Sequence, residues 1–145
     1  MTYNKFVRYV LTFEAIVLNA GTGAICLFAP SFFVSQFSME PMPLFALEFI
    51  RWYGVLLWVL AFLVLRILPQ NDNHVLAPAM EALLFGDLIH LFAIYMFYQA
   101  IPLWSFAFTI MLFCTLALAI IRSIWVYKYH QKNTMEKNKK TKVYA

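Results

Sequence analysis

Apolar residues dominate four stretches of this chain, and polar clusters or prolines separate the stretches. They run from Phe6 to Phe28, from Leu44 to Leu68, from Val75 to Tyr98 and from Pro102 to Tyr127. Each is long enough to cross a bilayer as a helix, which takes ~20 mostly apolar residues. Proline begins or ends a helix without breaking it, and prolines mark these boundaries: Pro30, Pro41, Pro43, Pro69 and Pro102. Pro78 is expected in the first turn of the third helix, where its missing N–H is harmless.

The composition places these helices in a membrane. Hydrophobic residues make up 63% of the chain, charged residues 12%, and the mean hydropathy is +0.73. A soluble domain is roughly 45–50% apolar and about 25% charged. This chain is too apolar to cover itself with polar side chains. We therefore predict an all-α fold, an integral membrane four-helix bundle formed by residues 1–127.

The positive charges predict the orientation of the bundle. Lys5 and Arg8 lie at the start of the first helix, Arg66 lies near the end of the second, and Arg122 ends the fourth together with a lysine-rich tail. Because cytoplasmic loops carry the excess of Lys and Arg, both termini are expected in the cytoplasm. Residues 128–145 then form a basic cytoplasmic tail near anionic headgroups, too short to bind nucleic acid as a domain.

Two further segments carry packing predictions. The segment "PSFFVSQFSMEPMP" (residues 30–43) falls on the opposite side of the membrane, and its phenylalanines predict a short interfacial helix or flap. Small residues cluster in the first helix at Ala20, Gly21, Gly23 and Ala24. Small residues let helix backbones approach closely, so they predict tight packing within the chain or in a homodimer. Cys26 and Cys114 lie in apolar stretches and are interpreted as small buried hydrophobes.

Ionisable residues inside the apolar stretches are the main functional signal. Each costs ~2.5–3.5 kcal/mol at the centre of a membrane helix, so it has to be paired or hydrated. Asp87 and His90 are three residues apart and share a face of the third helix, as Glu48 and Arg51 do on the second. We expect Arg51 with Glu48 to face Asp87 with His90. The candidate catalytic pair is Asp87 and His90, and the candidate ligand-binding residues are Asn19, Glu48, Arg51, Trp52, Glu14 and Glu81.

Two interpretations of this cluster stay open. In the first, the charged residues are structural ion pairs that fix the register of the bundle. In the second, they line a polar pocket under aromatic side chains, where a carboxylate orients an imidazole that titrates near neutral pH. One embedded histidine lacks the paired spacings of helical metal sites, so neither a metal nor a cofactor is expected.

Two segments carry a resemblance to known proteins: "RWYGVLLWVLAFLVLR" (Arg51 to Arg66), and "NDNH" followed by "LLFGDLIHL". In these segments the chain resembles small four-span membrane proteins, among them the DoxX-like bacterial family and the ergosterol-biosynthesis scaffold proteins of the endoplasmic reticulum. The resemblance covers most of the second and third helices and rests on short motifs. It carries over Arg51, Gly54 and His90, and Asp87 more weakly. It implies an accessory or tethering role among membrane enzymes of lipid metabolism.

Residues and resemblance together lead to one functional hypothesis with two alternatives. The hypothesis is a multi-pass protein, of a bacterial inner membrane or the endoplasmic reticulum, whose intramembrane pocket binds an apolar isoprenoid, sterol or quinone-like molecule. One alternative is a membrane isomerase or cyclase that uses Asp87 and His90 as an acid–base pair. The other is a pure scaffold whose buried ion pairs are structural. The expected partners are a membrane lipid or apolar small molecule, membrane enzymes and a second copy of the chain.

Overall fold

A computed structural model describes residues 3–38, 42–70, 72–100 and 104–143, with side chains from residue 5 to 135 of these ranges. Most of these residues are helical. The helices are α1 (Tyr3–Phe13), a π-helical stretch (Glu14–Gly21, the π segment), α2 (Thr22–Phe28), α3 (Pro30–Ser35), α4 (Leu44–Ile67), α5 (Asn73–Ala100) and α6 (Phe106–Val143). Among the described residues, four helices are long and apolar enough to cross a membrane: Lys5–Phe28, Leu44–Ile67, Asn73–Ala100 and Phe106–Met135. The predicted all-α class is therefore confirmed.

The third span starts earlier than its hydrophobic pattern predicts. The Asp72 carboxylate accepts a hydrogen bond of 2.8 Å from the backbone N–H of His74, so the helix begins at Asn73. Pro78 consequently lies inside α5, in its second turn, and the prediction that it occupies the first turn was wrong. Since proline has no N–H, the His74 carbonyl four residues earlier loses its usual helical partner.

The fourth span starts later than predicted and extends further. Pro102, expected at its start, lies outside the described residues. The helix begins at Phe106, where the Ser105 hydroxyl accepts a 3.1 Å hydrogen bond from the N–H of Phe108. The backbone then stays helical to Val143, so α6 continues into the basic tail without a break at residue 127.

The four spans form two helix pairs. The first span packs against α4, and α5 packs along α6, with only a limited approach of α4 to α5. Side chains from all four spans meet in one apolar core at the end of the bundle where α4 ends and α5 begins. The buried members of this core are Val7, Leu11, Ala15, Ala61, Val64, Leu76, Ala77, Met80 and Trp125. The core therefore joins the two pairs at one end of the bundle.

Two glycines allow the first span and α4 to pack closely against each other. A Cβ built on Gly54 would come within 2.7 Å of the Gly23 carbonyl oxygen and 2.9 Å of the Cys26 Cβ. A Cβ on Gly23 would meet Trp58 at 2.4 Å. The helices therefore cross backbone to backbone at these glycines, which confirms the tight packing predicted for the small residues of the first span.

Aromatic rings close the other end of the bundle. The predicted short helix is present as α3, and Phe37 just beyond it meets Phe97 edge-on with ring centroids 6.3 Å apart. Phe97 stacks on Phe108 at 6.0 Å, and Trp104 lies 5.1 Å from Phe108. This aromatic cluster ties α3, α5 and α6 together.

We predict that Gly54→Ala destabilises the protein and that Gly86→Ala does not. The new methyl group at residue 54 overlaps backbone atoms that cannot move aside, an overpacking cost of about 1–3 kcal/mol. Nothing lies within 4 Å of a Cβ at Gly86, so alanine there gains helix propensity of up to ~1 kcal/mol. Thermal unfolding of both variants in the same detergent measures the difference. Equal melting temperatures would contradict the glycine crossing.

Candidate functional site

The π segment changes which side chains of the first span share a face. In a π-helix the backbone bonds join residues five apart, so Glu14 and Asn19 lie one above the other. Both side chains are buried. At the end of the segment, the Ala20 carbonyl accepts a 3.0 Å hydrogen bond from the Trp58 indole N–H of α4. The π geometry therefore turns two polar side chains of the first span toward the bundle interior.

Arg122 of α6 is the centre of the site. Its guanidinium donates from Nη2 to the Glu14 carboxylate and from Nη1 to the Asp87 carboxylate of α5. Arg122 is only 2% exposed, and both carboxylates are buried as well. We refer to Glu14, Asp87 and Arg122 as the Arg122 triad. It connects the first, third and fourth spans and thus joins the two helix pairs.

The triad lies deep in the bundle. At ~1.5 Å of rise per residue, each member is within ~4 Å of the middle of its candidate span. Charges so far from water attract each other strongly, but removing them from water is also costly. The favourable balance depends on the Arg122 guanidinium, whose planar fork suits two carboxylates approaching from different helices. Its Nη1 also points toward the Leu83 carbonyl, 3.5 Å away.

Two buried N–H groups of the site have no acceptor. Within the described part of the chain, neither Arg122 Nε nor Asn19 Nδ2 has a hydrogen-bond partner, and both atoms are inaccessible to solvent. The Asn19 amide is close enough to the Glu14 carboxylate to interact with it, although Nδ2 makes no hydrogen bond of normal length and angle. A buried unpaired donor costs about 1–3 kcal/mol and is rare in native proteins. Two N–H donors of the site therefore lack an acceptor within the described part of the chain.

His90 extends the polar site toward the aromatic cluster. It shares the inward face of α5 with Asp87, and its Nδ1 lies 3.3 Å from the Thr115 hydroxyl of α6. That hydroxyl also donates to the Met111 carbonyl at 2.9 Å, so Nδ1 of the imidazole is assigned as the donor to Thr115. Thr115 and Arg122 are seven residues apart and share one face of α6. The α5–α6 interface therefore carries two polar contacts in succession.

A second polar group lies at the end of the bundle where α4 ends and α5 begins. The His130 Nε2 is 2.8 Å from a Glu81 carboxylate oxygen, and the Tyr129 hydroxyl is 2.9 Å from the His74 Nδ1. The Glu81–His130 pair is roughly half exposed. Glu81 thus belongs to this surface group and does not contact the Arg122 triad.

The structure only partly reproduces the predicted grouping. It brings Glu14, Asn19 and Asp87 to one buried site, with His90 on the adjoining face. The prediction that Arg51 and Glu48 face Asp87 was wrong. They pair with each other on α4, with side chains about half exposed. Trp52, also proposed for ligand binding, is 71% exposed on the same helix.

Sequence reasoning missed Arg122 and Thr115. Because Arg122 precedes a lysine-rich tail, the sequence predicts a charge at the end of the fourth helix that contributes to the orientation. That assignment is corrected by its burial in the middle of α6. The sequence does contain a signal that Arg122 lies inside the helix, because the mostly apolar segment "SIWVY" follows it. Embedded carboxylates at Glu14 and Asp87 also required an embedded cation.

Comparisons with known proteins do not assign this chain to a family. No protein-family model matches the chain, and neither a curated protein nor a solved structure matches it. Within the described residues, there is no group of three or more His, Cys, Asp or Glu side chains arranged to hold a metal ion. The site is therefore characterised by its own geometry: a buried ion triad, two unpaired donors and a half-buried imidazole.

We predict that Arg122→Met costs about 3–5 kcal/mol of stability, because it leaves two buried carboxylates without a counter-ion. Removing the charges together, in Glu14→Gln/Asp87→Asn/Arg122→Met, should recover much of that loss. The matched control is Glu81→Gln, which breaks an exposed pair worth about 0–1 kcal/mol. Unfolding in mixed micelles compares the variants. If the single Arg122 variant were as stable as the control, the triad would not hold the bundle together.

Proposed function

We propose that this protein is a multi-pass membrane protein whose interior binds the polar end of a neutral, apolar lipid. The observation that supports this most is the pair of buried donors, Arg122 Nε and Asn19 Nδ2, without an acceptor among the described residues. A carbonyl or hydroxyl oxygen of a ligand would satisfy them. The half-buried His90 lies one turn further along the same interface and offers a second polar contact.

The charges of the site favour a neutral ligand. Glu14 and Asp87 supply two carboxylates against the one guanidinium of Arg122, so an anionic headgroup would add to an existing excess of negative charge. The chemistry fits the oxygen of a quinone, a sterol or an isoprenoid alcohol, with the hydrocarbon part among the apolar helices. Fatty acids and phosphates fit the same site poorly.

The geometry supports a binding role better than acid–base chemistry. Asp87 is held by Arg122, and the described contact of the His90 imidazole is with Thr115, so the two residues do not form a hydrogen-bonded acid–base pair. An accessory role in membrane lipid metabolism rests on the resemblance of the second and third spans to DoxX-like and ergosterol-scaffold proteins. The alternative is a pure scaffold, which the complete pairing of Asp87 with Arg122 favours.

We also propose that both termini face the cytoplasm. Arg8 of α1 donates to the Leu68 carbonyl, and Tyr129 of α6 contacts His74, so α1 and the part of α6 around Tyr129 lie at the end of the bundle where α4 ends and α5 begins. Even without the buried Arg122, this end carries most of the cationic residues of the described part of the chain: Lys5, Arg8, Arg66, Lys128 and Lys132. Such an excess is typical of the cytoplasmic side.

We predict that Asn19→Leu keeps the fold but loses a co-purifying neutral lipid. Leucine has a similar size and removes both amide donors, so the ligand oxygen would lose one of its two proposed partners. Native mass spectrometry of protein extracted in mild detergent measures the bound lipid. Asn73→Leu makes the same chemical change at the start of α5 and serves as the control. A parallel His90→Ala variant tests the adjoining contact with Thr115.

Three results would separate the alternatives. A neutral lipid bound by the wild type and the control, but not by Asn19→Leu, would support binding at the site. A stably folded wild type that never carries a lipid would reject the proposal and favour the scaffold. A lipid that all variants retain equally would place its binding site elsewhere on the molecule.

We predict that a fluorescent protein fused after Ala145 folds and fluoresces, since it would remain in the cytoplasm. The same reporter inserted after residue 36, at the end of α3, should stay dark if it is exported. Fluorescence per molecule, normalised by immunoblot, measures the difference. A dark carboxyl-terminal fusion together with a fluorescent fusion at residue 36 would reverse the proposed orientation.

A further inference from the structure

A charged pair lies on the outside of the second span. Glu48 and Arg51 bond to each other one turn apart, with side chains 48% and 44% exposed. Counting ~1.5 Å per residue from Leu44, they lie ~6 and ~10 Å inside the helix. Their neighbours along the exposed surface of α4 are large and apolar, including Phe45, Phe49 and Trp52. The pair therefore interrupts an otherwise apolar surface.

This pair is incompletely satisfied by its own chain. Among the described residues, the Arg51 guanidinium makes one contact, from Nη1 to Glu48. Arginine has five N–H donors and a carboxylate can accept several bonds, so both groups have capacity left. Hydrocarbon offers no partners, and exposed charges at this depth are costly.

Most of the helix that carries the pair is not covered by the rest of the chain. Only 17% of the most apolar part of α4 is buried, close to the 22% of α5 and α6. In the first span, Gly23 already packs against Gly54 and Trp58 of α4, so the small residues there do not offer a second packing surface. The exposed face of α4 is therefore open to an outside partner.

We propose that the exposed face of α4, with Phe45, Glu48, Trp52, Val55 and Val59 at its centre, binds the same face of a second copy. Copies inserted in one direction are related by a two-fold axis along the membrane normal, so their α4 helices run parallel. Glu48 of each copy then approaches Arg51 of the other copy, one turn away. The result is a ring of four alternating charges, enclosed by aromatic side chains.

The charges favour a second copy over a lipid headgroup. A phosphate could bind Arg51, but it would lie beside the Glu48 carboxylate and be repelled by it. A second copy provides a guanidinium for each carboxylate and a carboxylate for each guanidinium. Self-complementarity of this kind is the requirement for an isologous dimer.

Two opposite charge reversals test the dimer. Glu48→Lys makes the pair doubly positive and Arg51→Glu makes it doubly negative, so each variant alone should dimerise at least about tenfold more weakly. Mixed together, the two variants should form a one-to-one heterodimer, because each then meets the opposite charge. Native mass spectrometry in detergent resolves the species by mass. Co-expression before extraction provides the same comparison in the membrane.

A control variant tests whether the effect is specific to this pair, and several results would reject the dimer. Glu81→Lys reverses a charge on a different exposed pair and should leave the dimer unchanged. All variants should remain folded, because the pair is exposed on the single chain, and their melting temperatures should fall only by the stability that the dimer contact supplies. A monomeric wild type would reject the proposal, as would single variants that dimerise normally or a mixture that forms no heterodimer. A monomer whose Arg51→Glu variant loses a bound phospholipid would assign the pair to a headgroup.

Discussion

The contact of one buried guanidinium with two carboxylates holds the two halves of this bundle together. Each helix pair has its own close packing, through Gly23 and Gly54 in one pair and along α5 and α6 in the other. Between the pairs, the bond from Arg122 to Glu14 joins α6 to the first span, and the backbones of these two helices do not pack closely. Because an unpaired charge in this position is far costlier than a lost apolar contact, the triad selects one arrangement of the pairs.

The backbone of the first span is adapted to this contact. An uninterrupted α-helix would place Glu14 and Asn19 on different faces, whereas the π segment aligns them. The segment lies between α1 and the glycine crossing, and Trp58 binds the carbonyl at its end. Polar function and close packing are thus combined within about two turns of one helix. The unpaired donors of the site occur where this geometry and the triad meet.

Much of the fold was predictable, and the site only in part. Long apolar runs and prolines locate helices well, so α4 matches its predicted limits to within one residue. The start of α5 was missed because the Asp72 cap, not hydrophobicity, determines it. Arg122 was missed because hydropathy does not distinguish an arginine at a helix end from one that lies inside the bundle. The π segment has no signature in a periodicity based on 3.6 residues per turn.

The position of Arg122 near the end of the chain has a consequence for biosynthesis. Glu14 emerges from the ribosome first, Asp87 much later and Arg122 last, so both acidic residues are made before their counter-ion. A nascent chain that carries only the first three long helices therefore holds two carboxylates without a partner, and such groups are costly in apolar surroundings. A chain that stops before Arg122 would keep both carboxylates unpaired, whereas the finished protein buries every member of the triad.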